Sequence, residues 1–393
     1  MTPPRPIRSN ENADRRGLEG PAQDSALPIA AMIELEWHIS HLVPALMLAG
    51  LVTVVLRLQD GRQHDKRSTK SKVAAVTSAR PTRTDRSPTA NPPKTLAPFD
   101  SLATSYDKSF CETTVGCMLR RETWKALEEA FASSQVSPPS SDGNNNNNNN
   151  NNMIIELSCG TGEDAMWLAT KHVHILATDY SDGMIDVARS KCRSCSAIAK
   201  EDQPIFRRLD VKSFDPSSLD IGPTDRKFAG AFSNFGGLNN VSPGEIEHCA
   251  QTLAKVLSPE SGAKVVLVVM GRFCLMETLY WLLVRRNFCK AFRRMMSSPT
   301  QGITVTVAKK NHTVYFHSMA TVEAAFSDTR KFRRVKRRAI GRLLVPPSLW
   351  SRSASRRIPP ALLSIFYSVD MLLGQLWPFI YMGDHYLIEF ERL

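Results

Sequence analysis

Acidic side chains end three successive apolar segments, and the first of these segments runs into a glycine-rich turn. Residues 156–162 read Glu-Leu-Ser-Cys-Gly-Thr-Gly, and later segments end at Asp179 and Asp210. Gly160 and Gly162 can adopt backbone conformations closed to other residues, so a ligand can approach the turn closely. The helical pattern that follows would present unpaired N–H groups at its start. Together these features predict a nucleotide-like ligand at the turn.

The spacing of Gly160 and Gly162 alone also fits a dinucleotide-binding fold. Glu156 separates the alternatives, because a carboxylate at the strand end suits a cationic amino group and would repel a pyrophosphate. Asp179 follows the glycines by roughly 20 residues, where an acid commonly hydrogen-bonds ribose hydroxyls. The pattern therefore favours a ligand that carries both a ribose and an amino group.

A further apolar segment, residues 228–232, continues into a loop of small and polar residues at 233–240. With this segment the chain resembles the class I S-adenosylmethionine-dependent methyltransferases of the small-molecule type. The resemblance rests on ELSCGTGED at 156–164 and FSNFGGLN at 232–239, and it runs from about Phe99 to Leu393. The broad class usually has glycine where this chain has Ser158. Because serine is small, we expect tighter geometry there rather than an inactive site.

The resemblance implies S-adenosylmethionine as cofactor and gives each part of it a contact. Residues 156–162 would hold the methionine part, Asp179 the ribose, and Asp210 with Val211 the adenine. The family also has a tyrosine before its core that closes over the methionine end, which corresponds to Tyr106.

Asn234 and Phe235 would lie beside the sulfonium in this interpretation. The cofactor-binding residues predicted in this way are Tyr106, Glu156, Ser158, Cys159, Gly160, Gly162, Asp179, Tyr180, Asp210, Val211, Asn234 and Phe235.

An alternation of strand and helix patterns must position these residues. The predicted strands are 153–157, 174–178, 205–209, 228–232 and 264–270, and the predicted helices are 163–171, 181–193 and 243–257. Strands that are apolar on both faces are typical of parallel sheets. We therefore predict an α/β, Rossmann-like doubly wound sheet, mostly parallel, whose last strand, 385–390, runs antiparallel.

A substrate cap is predicted over residues 272–358. It comprises a long apolar helix, 273–292, and a β-hairpin, 302–317, with its turn at 309–311. A mainly apolar pocket suits a hydrophobic acceptor. We name no catalytic residue, because methyl transfer from an activated sulfonium mainly requires positioning. The candidate bases are His312, His317 and His385.

The methyltransferase domain is predicted to span 99–393, with an asparagine-rich insertion at 137–152. Residues 1–25 are predicted to be disordered, 26–56 to form a hydrophobic segment, and 57–98 to form a basic disordered linker. Residues 37–56 carry no Asp, Glu, Lys or Arg, and that length approaches a membrane span. Basic residues follow this segment, so a membrane anchor would leave the enzyme domain in the cytosol. An amphipathic appendage or a targeting sequence is the alternative.

The net charge is +12, and residues 330–357 contain eleven Lys and Arg but no acid. This run keeps open an RNA or protein methyltransferase. Against it, residues 233–236 lack the Asn/Asp-Pro-Pro-aromatic motif of amino-methylating nucleic-acid enzymes, and no Pro-Cys pair occurs, so we expect a small-molecule acceptor rather than nucleic acid. A nucleotide-binding module without methyl transfer, or a dehydrogenase, is a further alternative. The eight cysteines show no paired metal-ligand spacing, and we predict no metal.

Overall fold

A computed structural model of the protein describes residues 99–132, 153–219, 227–259, 262–308, 310–349, 359–373 and 379–393. The segments predicted at 1–25, 26–56, 57–98 and 137–152 lie outside these residues. Within the described ranges, no helix has the length and apolar character needed to cross a membrane.

Seven strands form the main sheet, in the order β3-β2-β1-β4-β5-β9-β8. They are β1 (Ile154–Leu157), β2 (Ile175–Asp179), β3 (Ile205–Arg208), β4 (Gly230–Ser233), β5 (Lys264–Met270), β8 (Phe332–Ile340) and β9 (His385–Arg392). The first five pair in parallel, and β9 runs antiparallel to both β5 and β8. The predicted mixed sheet, including its antiparallel last strand, is confirmed.

Helices cover both faces of this sheet. They are α1 (Ala103–Ser109), α2 (Thr114–Leu127), α3 (Glu163–Ala169), α4 (Asp182–Ser194), α5 (Pro243–Val256), α9 (Met319–Ser327) and α10 (Pro360–Leu373). Residues of β1 alternate between the two resulting cores: Ile154 belongs to one and Ile155 to the other, and both are buried. Burying such a side chain contributes about 1.5–3 kcal/mol. Strand β1 is therefore the fixed base of the glycine-rich turn.

Two helices begin with side-chain caps. Ser181 Oγ accepts a hydrogen bond from the Met184 N–H at 3.1 Å at the start of α4. At α5, Ser242 and Glu245 form a reciprocal capping box. These caps fix where each helix leaves the sheet edge that carries the predicted site.

The continuous helix predicted at 273–292 is wrong. The chain instead forms α6 (Leu275–Leu279), a π-helical turn (Tyr280–Val284), α7 (Phe288–Ala291) and α8 (Arg293–Met296). Asn287 starts α7 by accepting from the Lys290 N–H at 2.9 Å, and Arg286 before it has φ +48°. Because residues 273–292 are mostly apolar, their composition did not indicate the break after the π-helical turn or the cap at Asn287.

The predicted hairpin is present as β6 (Ile303–Val307) and β7 (Lys310–Val314). Its turn comes earlier than predicted, because Lys310 and Asn311 already pair with Val307 and Thr306. Strand β8, by contrast, was not predicted, because it lies in the basic run and shows little apolar alternation. It forms the edge of the sheet, where charged side chains are common and discourage pairing with another chain.

Candidate functional site

A cavity of about 700 Å³ lies at the carboxyl ends of the parallel strands. In open α/β sheets, ligands bind at this edge, where the strand order reverses. The cavity is lined by all but two of the predicted cofactor-binding residues: Tyr106, Ser158, Cys159, Gly160, Asp179, Tyr180, Asp210, Val211, Asn234 and Phe235. Glu156 and Gly162 do not line it.

Asp179 ties together the loops that follow β1 and β2. Its Oδ2 accepts from the Gly160 N–H and its Oδ1 from the Ser181 N–H, each at 2.9 Å. Burial raises the pKa of the Asp179 carboxyl, while these two backbone N–H groups act in the opposite direction. The carboxylate thus fixes the turn and still has lone pairs available for a ligand.

Ser158 occupies a left-handed backbone conformation, with φ +60°. Its Cβ would lie 2.5 Å from a Cβ placed on Gly237, a distance that real side chains do not tolerate. Ser158 therefore fits in the turn after β1 because the loop after β4 has a glycine, Gly237, opposite it.

Glu156 lies within β1 rather than at the cavity surface. It is 1% exposed, and its Oε2 has no hydrogen-bond partner among the described residues. Burial, followed by the nearby Asp164 carboxylate, raises the pKa of Glu156 well above its usual range.

Gly162 lies at the start of α3 rather than at the cavity surface. Its φ is +76°, and a Cβ there would lie 2.8 Å from the Phe206 ring.

Replacing Glu156 with glutamine is expected to remove a pH-dependent destabilisation. Above its ordinary value of 4.5 the unfolded carboxyl loses its proton, whereas the folded one keeps it because its pKa is raised. The unfolded state then binds fewer protons, so stability falls as the pH rises. Urea denaturation from pH 4 to 8 should show the free energy of unfolding of Glu156→Gln rising relative to that of the parent as the pH increases. Exposed Glu247→Gln is the control, and parallel curves for all three proteins would contradict the assignment.

An ion pair that the sequence did not reveal forms one wall of the cavity. Arg120 of α2 is 7% exposed, and its Nη1 lies 2.5 Å from Asp164 Oδ1. Its guanidinium carbon lies 5.0 Å from the centre of the Phe235 ring. Burial opposes the charge on Arg120, but the adjacent Asp164 carboxylate outweighs it and holds the pKa of Arg120 above its usual range.

Asp164 also fixes the loop that follows β4. It accepts from Trp124 Nε1 at 2.6 Å and from Asn234 Nδ2 at 3.0 Å. The Asn234 amide donates as well to Thr123 Oγ1 at 3.1 Å, and its Oδ1 accepts from the Phe235 N–H at 2.9 Å. Phe235 is thereby held at φ +42°. The network makes Asn234 a positioning residue for the aromatic ring beside it.

One sequence signal could have revealed the ion pair between Arg120 and Asp164. Arg120 lies four residues before Trp124, on the face of α2 that also carries Leu127. A charge on the apolar face of a helix needs a buried partner. The identity of that partner, 44 positions along the chain, depends on the packing of α2 against α3.

Side chains of the segment before α2 fasten it over the glycine-rich turn. Asp100 Oδ1 accepts from Ser181 Oγ, and Asp107 Oδ1 accepts from Thr161 Oγ1, each at 2.5 Å. Tyr106, between these anchors, is half-buried and lines the cavity. The predicted lid tyrosine therefore lines the same cavity as the turn.

The hairpin supplies the opposite wall through Val307, His312 and Val314. His312 Nε2 lies 2.7 Å from Asn240 Oδ1, and its ring meets the ring of Phe99 edge to face with centres 5.3 Å apart. Burial, followed by the charge of nearby Lys212, lowers the pKa of His312.

The other two candidate bases lie elsewhere. His317 and His385 line a separate cavity of about 220 Å³. Of the three histidines singled out in the sequence, His312 alone lines the larger cavity.

Comparison with known proteins agrees with this geometry. A protein family described as a methyltransferase domain matches residues 154–260. A demethylmenaquinone methyltransferase of Clavibacter sepedonicus is 25% identical over 197 residues, which cover 50% of this chain and 64% of that protein. This chain thus matches less than two thirds of its relative's length.

Two solved structures are among those that the comparison found. A SAM-dependent methyltransferase from Methanosarcina mazei is 17% identical with a TM-score of 0.39, covering 62% of this chain and 93% of that one. Magnesium protoporphyrin IX methyltransferase from Synechocystis PCC 6803, with bound SAH, is 13% identical with a TM-score of 0.42. The match covers 75% of this chain and 96% of that one. The family match identifies a methyltransferase domain at residues 154–260, which contain the parallel strands and the glycine-rich turn described above.

Proposed function

We propose that this protein binds S-adenosylmethionine in the larger cavity and transfers its methyl group to a small, hydrophobic acceptor. The observation that carries the proposal is that one cavity gathers the turn after β1, the acids after β2 and β3, and the loop after β4. S-adenosylmethionine supplies a methyl group already activated on a sulfonium.

The residues of the cavity fit such a cofactor. Asp179 offers carboxylate lone pairs to a ribose, and Asp210 stands at the next strand end. Leu209, Val211 and Met184 provide an apolar surface for a flat base. Tyr106, in turn, would exclude water from the methionine end. Glu156 is buried behind this surface, so we assign it no direct contact.

The remaining wall suits an apolar acceptor. Phe99, Val307, Val314 and Met270 line it, and His312 is the titratable side chain that the hairpin adds. Its lowered pKa keeps the imidazole neutral near pH 7. Because the methyl group is already activated, orientation and exclusion of water supply most of what the protein must do. A neutral imidazole could also accept a proton from an acceptor hydroxyl or amine.

The basic run gives limited support to a nucleic-acid acceptor. In β8, Arg333 pairs with Glu391, and Arg334 with Glu323, each at 2.6 Å. Lys336 pairs with Glu129 at 2.7 Å. Partners of opposite charge reduce the potential that would attract phosphates. The name of the Clavibacter relative, a demethylmenaquinone methyltransferase, also agrees with a small organic acceptor.

Transfer of a tritiated methyl group tests the acceptor class. The full-length protein is incubated with labelled S-adenosylmethionine and, separately, with a lipophilic cell extract, bulk RNA and bulk protein. We expect label in the organic phase of the first reaction. Label confined to RNA or to protein would contradict the proposed acceptor class while leaving the cofactor assignment intact.

Asp179→Ala is expected to weaken S-adenosylmethionine binding by about 1–3 kcal/mol, the range for a hydrogen bond to a charged group. That loss corresponds to about a 5- to 150-fold rise in Kd. Calorimetric titration measures it, with Asp186→Ala on the exposed face of α4 as control. Unchanged affinity in a folded Asp179→Ala protein would refute the ribose assignment.

A further inference from the structure

Large apolar side chains are exposed along one short stretch of the cap. Leu283 is 47% exposed, Phe288 66%, Met295 50% and Met296 69%. They lie in or beside the π-helical turn, α7 and α8, which we call the cap surface (residues 280–296). A cluster of exposed apolar side chains on a folded domain commonly marks an interaction site.

The same stretch is positively charged. Arg285, Arg286 and Lys290 are exposed, and no Asp or Glu occurs between Glu277 and Glu323. Glu277 itself is 2% exposed and is bound by Arg293 and Arg294, each at 2.6 Å. Among the described residues, the cap surface therefore carries cations with no exposed acid in its own sequence.

Aromatic rings connect the cationic and apolar parts. Lys290 Nζ lies 4.7 Å from the centre of the Trp281 ring, and Arg285 lies 5.7 Å from it. The Phe288 ring packs on Phe292 with centres 4.7 Å apart. These contacts hold Arg285 and Lys290 next to Trp281, and they hold Phe288 against Phe292. A mixture of aromatic, aliphatic and cationic groups without acids is characteristic of helices that lie in a membrane interface.

We propose that the cap surface docks on an anionic lipid bilayer, with Phe288 and Met296 entering the headgroup region and Arg285, Arg286 and Lys290 facing lipid phosphates. Charge complementarity favours a bilayer over a protein partner, because an anionic leaflet attracts clustered Lys and Arg. The inference is independent of the proposed methyl transfer and of the predicted segment 37–56. It concerns contact with the interface, not a membrane span.

Two exposed cysteines provide a matched pair of probe sites. Cys289 lies in the cap surface next to Phe288, whereas Cys117 is exposed on α2. Cys195, which is partly exposed, is replaced by serine in both proteins. An environment-sensitive fluorophore is then attached to the full-length chain at Cys289 in the Cys117→Ser protein, and at Cys117 in the Cys289→Ser protein.

Vesicles of phosphatidylcholine mixed with anionic phosphatidylglycerol, whose negative surface potential attracts Lys and Arg, should shift the emission at Cys289 to the blue and leave Cys117 unchanged. The shift should become smaller with added salt, because salt screens the attraction between the cationic side chains and the lipid phosphates. Phe288→Ser with Met296→Ser should abolish it without changing the circular dichroism spectrum. The fluorophore reports only on its own surroundings. Binding of vesicles through another segment of the chain would therefore not shift the emission at Cys289.

Three results would overturn the proposal. No shift at Cys289 would show that the surface does not meet the bilayer, as expected if it binds a protein instead. Equal shifts at Cys289 and Cys117 would show contact without a preferred face. Equal shifts with neutral and anionic vesicles would refute recognition of anionic lipid by Arg285, Arg286 and Lys290.

Discussion

Asp164→Ala is expected to lower the free energy of unfolding by about 3–5 kcal/mol, the cost of leaving one member of a buried ion pair alone. The substitution would strand the Arg120 guanidinium, which is 7% exposed and lies 2.5 Å from Asp164. It would also remove the acceptor of Trp124 Nε1 and of Asn234 Nδ2. The loop that holds Phe235 should therefore loosen together with the overall fold.

A double variant separates the stranded charge from the loss of packing. Arg120→Met with Asp164→Leu removes both charges, so it should recover a large part of the stability that Asp164→Ala loses. Urea denaturation of the parent and both variants measures this. A double variant as unstable as Asp164→Ala would show that Asp164 acts through Trp124 and Asn234 rather than through Arg120.

Gly237→Ala is expected to weaken S-adenosylmethionine binding at least about tenfold, which corresponds to 1.4 kcal/mol. The added methyl would lie 2.5 Å from Ser158 Cβ, and Ser158 is already held at φ +60° in the turn that lines the cavity. One of the two loops must move, and both line the site. Calorimetric titration of each variant measures the loss.

Ser158→Gly provides the reciprocal test. Combined with Gly237→Ala it removes the closest contact, so affinity should partly return, limited by Ser233 Oγ at 2.9 Å from the new methyl. Gly244→Ala is the matched control, since nothing lies within 4 Å of a Cβ there. If Ser158→Gly does not relieve Gly237→Ala, the steric coupling between the two loops is refuted.

Strand ends were the predictable part of this site. Apolar segments bounded by small or acidic residues located β1, β2, β3 and β4 to within a few residues, and parallel strands bring their carboxyl ends to one edge. Local sequence was sufficient because each loop begins directly at its strand.

Contacts between elements distant in sequence were the unpredictable part. The Arg120–Asp164 pair depends on how α2 packs on α3, and the break at Asn287 depends on the folding of α6, α7 and α8 around Glu277. Strand β8 was not predicted because local sequence does not show that its charged side chains form ion pairs with residues on β9, on α9 and next to α2. Glu156, predicted from its position at a strand end, is buried within the sheet instead.

Calorimetric titration of S-adenosylmethionine into the full-length protein, with NAD as the comparison, tests the central claim most directly. We predict saturable binding of S-adenosylmethionine at one site per chain and no comparable binding of NAD, since the family that matches residues 154–260 is a methyltransferase domain. Tighter binding of NAD, or no binding of S-adenosylmethionine by the folded protein, would contradict the assignment of the cavity.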